Sequence, residues 1–175
     1  QIGHHKAARV QENNNGKNEN LLTAVDLGLS VRWASQNVGA ANQYSLGDYF
    51  GWGEIVPKTV FKEEAYRFGT NKPDGYTKYN YTDNKTVLDI EDDAARARMG
   101  GKWRMPTFSE IEELREKCAW KWIEEIDENG HLIKGFQITG PSKNSIFIPL
   151  GETDNEKRTY GDSYMSSCLD YWNLG

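Results

Sequence analysis

Metal binding or nucleophilic catalysis would have to rest on cysteine, histidine or clustered carboxylates, and these are sparse or scattered. The chain carries two cysteines, Cys118 and Cys168, and three histidines, His4, His5 and His131. They are too dispersed for a structural zinc, which takes about four ligands. One disulfide and two free thiols are both compatible with Cys118 and Cys168, so they fix no redox compartment. His4 and His5 lack a third ligand nearby and read as part of a solvated tail. A Ser/His/Asp arrangement would need His131, which follows a turn and is expected to face solvent. Carboxylates abound, yet nothing sets an acid of raised pKa opposite a second one, as glycoside hydrolysis requires. The run Glu152, Asp154, Asn155, Glu156 and Asp162 is rich enough in oxygen to suit calcium, which takes about six to eight such ligands, and a structural calcium stays open. No catalytic residue, metal ligand or cofactor is assigned. The reading is of a protein that is not an enzyme.

The C-terminal stretch favours binding over catalysis. Tyr160, Asp162, Tyr164, Met165, Asp170, Tyr171, Trp172 and Asn173 form a polar, aromatic segment, and Tyr, Trp, Asp and Asn on loops make adaptable contact surfaces. These are the candidate ligand-binding residues. An alternative of equal weight is that Tyr160, Tyr164 and Trp172 close the core.

Composition bounds the scaffold that must position them. The 175 residues are 37% hydrophobic and 27% charged, with a net charge of -5, the profile of one ordinary domain that needs no disulfide framework. Mean hydropathy is -0.78, and no apolar run approaches the ~18 residues of a membrane span. The acidic balance, pI about 5.3, argues against nucleic acid as a partner, since phosphate attraction needs clustered Lys and Arg. Six Trp, nine Tyr and 17 Gly against five Pro suit short strands, many turns and amphipathic contacts rather than a helix bundle.

Along the chain, residues 1–22 read as a flexible leader, because the Asn-rich run at 13–20 has little to bury. From Ala24, the alternation of Val25, Leu27, Leu29, Val31 and Trp33 predicts strand broken by a turn near Gly28. Residues 37–53 place Gly39, Gly47, Gly51 and Gly53 among Tyr44, Tyr49, Phe50 and Trp52, predicting irregular backbone that buries its rings. The Tyr-rich, polar stretch 57–85, with Lys72-Pro73-Asp74-Gly75, reads as a long surface excursion. In 89–100, acids lead, bases follow and glycine closes, complementing a helix dipole and predicting a short helix. Thr107 and Glu110 form a capping box ahead of Phe108, Ile111, Leu114 and Cys118 at helical spacing, predicting a helix over 107–117. Trp120, Trp122 and Ile126, a turn at Asp127-Glu128-Asn129-Gly130, then Leu132 to Ile138 and Ile146 to Leu150 predict a three-stranded meander. Trp33, Trp52, Trp103, Trp120 and Trp122 are expected in the core.

Five segments carry a resemblance: Ala24 to Ala34 (AVDLGLSVRWA), Asn37-Val38-Gly39-Ala40, Gly47-Asp48-Tyr49-Phe50-Gly51-Trp52-Gly53-Glu54, Asp92-Asp93-Ala94-Ala95 and Gly101 to Thr107 (GKWRMPT). In this order they resemble the secreted and surface proteins of Bacteroidetes and Fibrobacter that carry the Fibrobacter succinogenes major paralogous domain, over roughly residues 24–167. Trp103-Arg104-Met105-Pro106-Thr107, with Glu110 and Glu113, is similar to a segment of the superfamily that joins formylglycine-generating enzymes with C-type-lectin-like proteins. The resemblance implies an α+β, C-type-lectin-like domain over 23–175, with two helices, a small antiparallel sheet and long irregular loops. It also implies a secreted or cell-surface location, with surface anchoring through the leader as one route and further strands expected past Gly175. Because the chain opens on Gln1, it reads as a mature product or a piece of a longer one.

The function this implies is non-catalytic binding of an extracellular glycan or protein through the C-terminal loops, with retroelement-diversified variable proteins as one such type. The sugar-binding calcium loop of C-type lectins is not matched, since Ile148-Pro149-Leu150 and Trp172-Asn173-Leu174 lack its carboxylates. The paired cysteines that formylglycine-generating enzymes use with copper have no evident equivalent here. Such an oxidase and a structural module of a surface assembly are the alternatives.

Overall fold

A computed structural model describes residues 22–70 and 75–150. They fall into two compact units, one made of 22–47 with 106–150 and the other lying within 48–105. The architecture is α+β, with two α-helices and two small antiparallel sheets among the described residues. None of the described helices is long and apolar enough to cross a membrane. The expected leader, apart from Leu22, and the polar stretch from Gly151 lie outside the described residues.

In the first unit, strands β1 (Ala24–Val25) and β2 (Trp33–Ala34) pair antiparallel, Ala24 opposite Ala34 and Val25 opposite Trp33. The break between them holds Gly28 at φ +80°, a region that L side chains rarely adopt. Helix α2 (Phe108–Lys117; α1, Ala94–Met99, belongs to the other unit) starts at the predicted capping box. The Thr107 hydroxyl accepts from Glu110 N–H at 3.3 Å, and the Glu110 carboxylate accepts from Thr107 N–H at 2.8 Å. Ile111 and Leu114 are buried and Cys118 half-buried, but Phe108 is exposed. At the first helical position a side chain lies over the turn before it, beyond the covered stripe.

The chain runs from α2 into the predicted meander, β3 (Ala119–Ile126), β4 (Leu132–Thr139) and β5 (Ser145–Pro149), antiparallel in the order β3-β4-β5. The Asp127 carboxylate accepts from the N–H groups of Asn129 and His131, both at 2.8 Å, and closes the first turn. Leu27, fully buried, ties the ribbon to the second turn, where its carbonyl accepts from Ser142 N–H at 3.1 Å. Gly140 lies so close that a Cβ there would meet the Leu27 carbonyl oxygen at 2.1 Å.

The second unit is mostly irregular. Its helical pieces are 3-10 turns at Glu63–Ala65 and Ile90–Asp92 and helix α1 (Ala94–Met99). Asp93 caps α1 by accepting from Arg96 N–H at 3.0 Å, and Gly100 follows it at φ +73°. The short helix expected in 89–100 is therefore present.

Two expectations need correction. In 37–53 the rings are not uniformly buried: Phe50 is, but Tyr44 is exposed and meets Phe147 edge-on at 5.0 Å. The stretch 57–85 is not wholly a surface excursion: most of its described residues are exposed or half-buried, as expected, but Phe61 and Phe68 are buried. Tyr66, Phe68, Tyr76 and Tyr79 stack edge to face with centroids 5.5–5.9 Å apart. This interlocked set supplies the apolar surface that the polar composition concealed. Most of the expected turn at 72–75 lies outside the described residues, but Thr70 N–H donates to the Gly75 carbonyl at 2.9 Å across it.

Leu27→Ala is expected to lower stability by about 2–5 kcal/mol in urea unfolding, as cavity-forming core truncations do. Gly140→Ala should also destabilise, by displacing the Leu27 carbonyl. Gly130→Ala meets nothing within 4 Å and should cost only about 1–2 kcal/mol for its left-handed backbone.

Candidate functional site

The segments that carry the resemblance are positioned by hydrogen bonds within their own units. The Asp26 carbonyl accepts from the Ser142 hydroxyl and the Asn144 amide, each at 2.8 Å. Asn37 donates from its side-chain amide to the Leu46 carbonyl at 3.1 Å. Asp93 joins the GKWRMPT segment to α1, accepting from Met105 N–H at 2.9 Å. Arg96 donates to the carbonyls of Trp103 and Gly101 at 3.0 and 2.8 Å. Glu113 accepts from Ser30 N–H and hydroxyl and pairs with Lys117 at 3.1 Å. Burial works to raise its pKa, but those donors hold it below the usual carboxylate range.

The Gly51-Trp52-Gly53-Glu54 segment adjoins the densest electrostatic cluster. Gly51 leaves room for the Glu54 carboxylate, which a Cβ would meet at 2.1 Å. Glu54, buried, accepts from Arg67 N–H at 2.9 Å and pairs with Lys58 at 2.6 Å. The Tyr66 hydroxyl donates to the Trp52 carbonyl at 2.8 Å, and burial, then the Glu54 charge, push that phenol well above its ordinary pKa.

At the centre lies Asp92, its side chain only 1% exposed. Its carboxylate accepts from Arg67 at 2.8 Å, Lys78 at 2.5 Å and the Tyr79 hydroxyl at 2.7 Å. The same hydroxyl accepts from Asp89 N–H at 3.0 Å. Lys78 also pairs with Asp89 at 2.7 Å. Burial would raise the Asp92 pKa, but the donors from Lys78 and Tyr79, with the nearby Arg67 charge, bring it below its ordinary value. Hydrogen bonds from Lys78 and then Lys85 lower Asp89, while those to Asp89 and then Asp92 raise Lys78. Burial, then the bond to Asp92, push Tyr79 up to about 12. Each shift drives its group further into its ordinary charge state. A general acid or base needs the reverse, a pKa drawn toward the working pH. This cluster is suited to holding backbone in place.

Among the described residues, Asp89, Glu91 and Asp92 are the grouping that could hold a metal ion, with oxygens within 4.8 Å of one another. Lys78 Nζ already stands among them, at 2.7, 3.7 and 2.5 Å. An internal ammonium thus fills the cation position, and a metal would have to displace it.

The other feature is the sheet face bearing Trp120, Trp122 and Phe136. Trp120 and Trp122 flank Phe136 edge-on, with centroids 5.6 and 5.1 Å away. Trp120 donates from Nε1 to the Leu114 carbonyl at 3.2 Å and is half-buried. Trp122 is 42% exposed, with Ile126 and Leu132, directly opposite each other, exposed beyond it. The expectation that all five tryptophans are core therefore holds for Trp33 and fails for Trp122; Trp52, Trp103 and Trp120 are intermediate. Sequence could have signalled this, because the alternation Trp-Lys-Trp-Ile-Glu-Glu-Ile is that of a strand covered on neither face along its whole length.

The proposed contact residues Tyr160, Asp162, Tyr164, Met165, Asp170, Tyr171, Trp172 and Asn173 lie outside the described residues, as do Cys168 and the oxygen-rich run from Glu152. Cys118 is a free thiol whose pKa is raised by burial and then by Glu113. His131 is exposed beside Asp127, as expected. Comparison with family models, curated proteins and solved structures finds no match.

Asp92→Asn should lower stability by roughly 2–3 kcal/mol, less than the ~3–5 of breaking a fully buried pair, because Lys78 and Arg67 side chains are 24% and 47% exposed and rehydrate. The depressed carboxylates at Asp89 and Asp92 stabilise fully above their ordinary value of 3.8, and that contribution disappears as pH falls through their folded values. Urea unfolding from about pH 5 down to 2 should therefore fall less steeply in Asp92→Asn. Tyr79 acts oppositely: its contribution is present below pH 10.0 and lost as pH climbs toward about 12. Subtracting the phenolate absorbance titration of Tyr79→Phe from that of the parent should isolate this transition.

Proposed function

We propose that this chain is a non-catalytic binding module of the C-type-lectin-like kind, secreted or displayed at the cell surface, that meets an extracellular glycan or protein. The observation that carries the reading is the half-open aromatic face of Trp120, Trp122 and Phe136. An exposed indole beside a phenyl ring offers a flat apolar surface with a polar handle, suited to a sugar ring or a protein side chain. Such a surface binds with little ordering cost when its scaffold is already fixed, and the hydrogen-bonded loops are consistent with that. The C-terminal residues Tyr160, Asp162, Tyr164, Met165, Asp170, Tyr171, Trp172 and Asn173 are proposed as further contacts.

The locked charge states around Asp92 favour this reading over catalysis at that cluster, and the raised Cys118 thiol is a poor match for the reactive thiolate of an oxidase. The lectin-like assignment rests on the five segments of the resemblance and on the α+β architecture.

The test is a screen of glycans and extracellular proteins with the full chain, followed by two variants. Trp122→Ala and the triple variant Tyr164→Ala/Tyr171→Ala/Trp172→Ala address the two surfaces separately. At least one should weaken binding about tenfold or more, the loss of a single interface anchor. Unchanged affinity in both, with native circular dichroism, sinks the reading.

A further inference from the structure

The outer edge of β3 carries a pattern that fits its own copy. Among the described residues β3 pairs with β4 and with no other strand, so it is the edge of its sheet. Asp127 N–H donates to the His131 carbonyl at 2.9 Å at the end of the β3–β4 ladder. In an antiparallel ladder bonded residues alternate, so the odd-numbered residues of β3 bond to β4. The bond from Leu150 N–H to the Lys134 carbonyl agrees, directing the even-numbered residues of β4 to β5. Trp120, Trp122, Glu124 and Ile126 are therefore left with N–H and C=O groups pointing off the sheet.

We propose that a second copy of this chain pairs antiparallel with β3 along this edge, about a two-fold axis at Ile123. That register sets Trp120 opposite the partner's Ile126 and Trp122 opposite the partner's Glu124, all four in bonding phase. Lys121 falls opposite the partner's Glu125, twice by symmetry, in the non-bonded positions where side chains approach most closely. Lys121 and Glu125 are both exposed, and neither has an ion pair among the described residues.

Neighbouring registers fit worse. A shift of two residues one way sets Glu124 against the partner's Glu124 and moves Lys121 from Glu125 to Asp127, whose carboxylate is already engaged by the N–H groups of Asn129 and His131. The other way leaves Glu125 opposite Ala119 and Lys121 opposite Ile123, losing both charge pairs. Odd shifts put the bonding groups out of phase. A long edge without proline is a template for another strand, its Lys121 and Glu125 charges oppose every register except those that pair them with opposite charges, and an isologous contact closes at two copies. The paired sheets form one six-stranded sheet. The inference does not rest on the ligand-binding reading, because it is tested without ligand.

The experiment is sedimentation equilibrium of the full chain with Lys121→Glu, Glu125→Lys and the double variant, alongside hydrogen exchange of the parent at low and high concentration. Each single reversal should raise the dimer dissociation constant at least tenfold by facing like charges across the edge, and the double reversal should restore it to within about threefold. Exchange at the amides of Trp120, Trp122, Glu124 and Ile126 should slow as concentration rises. The proposal is overturned by a chain monomeric to millimolar concentration, by a dimer indifferent to the single reversals, or by failure of the double reversal to recover. It is equally overturned if those amides are already protected in the monomer, which would mean the chain covers its own edge.

Discussion

A backbone with little helix or sheet has to find partners for its N–H and C=O groups outside the regular ladders, and here carboxylates take much of that task. Asp26, Asp83, Asp93, Glu54, Glu113 and Asp127 each accept from backbone N–H groups of turns or loops. A carboxylate offers several lone pairs in one compact group and bonds more strongly than a neutral acceptor. Asp92 shows how such an acid is held once it is desolvated: it is met by Arg67, Lys78 and Tyr79 together. The acidic composition thereby acquires a structural meaning.

The same constraint explains the recurring types in the segments that carry the resemblance. Glycine is needed at 51 because Glu54 folds over it, and at 53 because φ is +75° and a Cβ would press within 2.8 Å of Phe68. Asp93 caps a helix and holds Met105. These residues specify how loops are tied down. A resemblance built from them speaks to architecture, and function has to be sought in the side chains left at the surface.

Local signals were legible and distant ones were not. The start of helix α2 is written into four consecutive residues by its capping box, and the β3–β4 hairpin by Asn129-Gly130, because each depends on neighbours in the chain. The two-stranded ribbon around Gly28 is likewise a local pattern. The stretch 57–85 misleads, because its polar residues serve contacts far along the chain: Arg67 and Lys78 meet Asp92, respectively 25 and 14 positions away. In sequence, Glu91-Asp92-Asp93 looks like the acidic front of a helix, which is true of Asp93 and conceals Asp92. The proposed contact residues from Tyr160 to Asn173 stay as sequence expectations.

The exposure of Trp122 follows from a mismatch of lengths. Helix α2, at ten residues, extends about 15 Å, whereas the eight residues of β3 extend roughly 27 Å. Even laid along the strand, the helix could cover little more than half of it. The hydrogen bond from Trp120 to Leu114 marks the end that is near the helix. Trp122, Ile126 and Leu132 lie towards the hairpin, where exposure rises along the strand. An eight-residue hairpin needs its aromatic pairs to stay ordered where the helix gives no cover, and the Trp122–Phe136 contact supplies one. Local packing and exposed apolar surface thus arise from the same side chains.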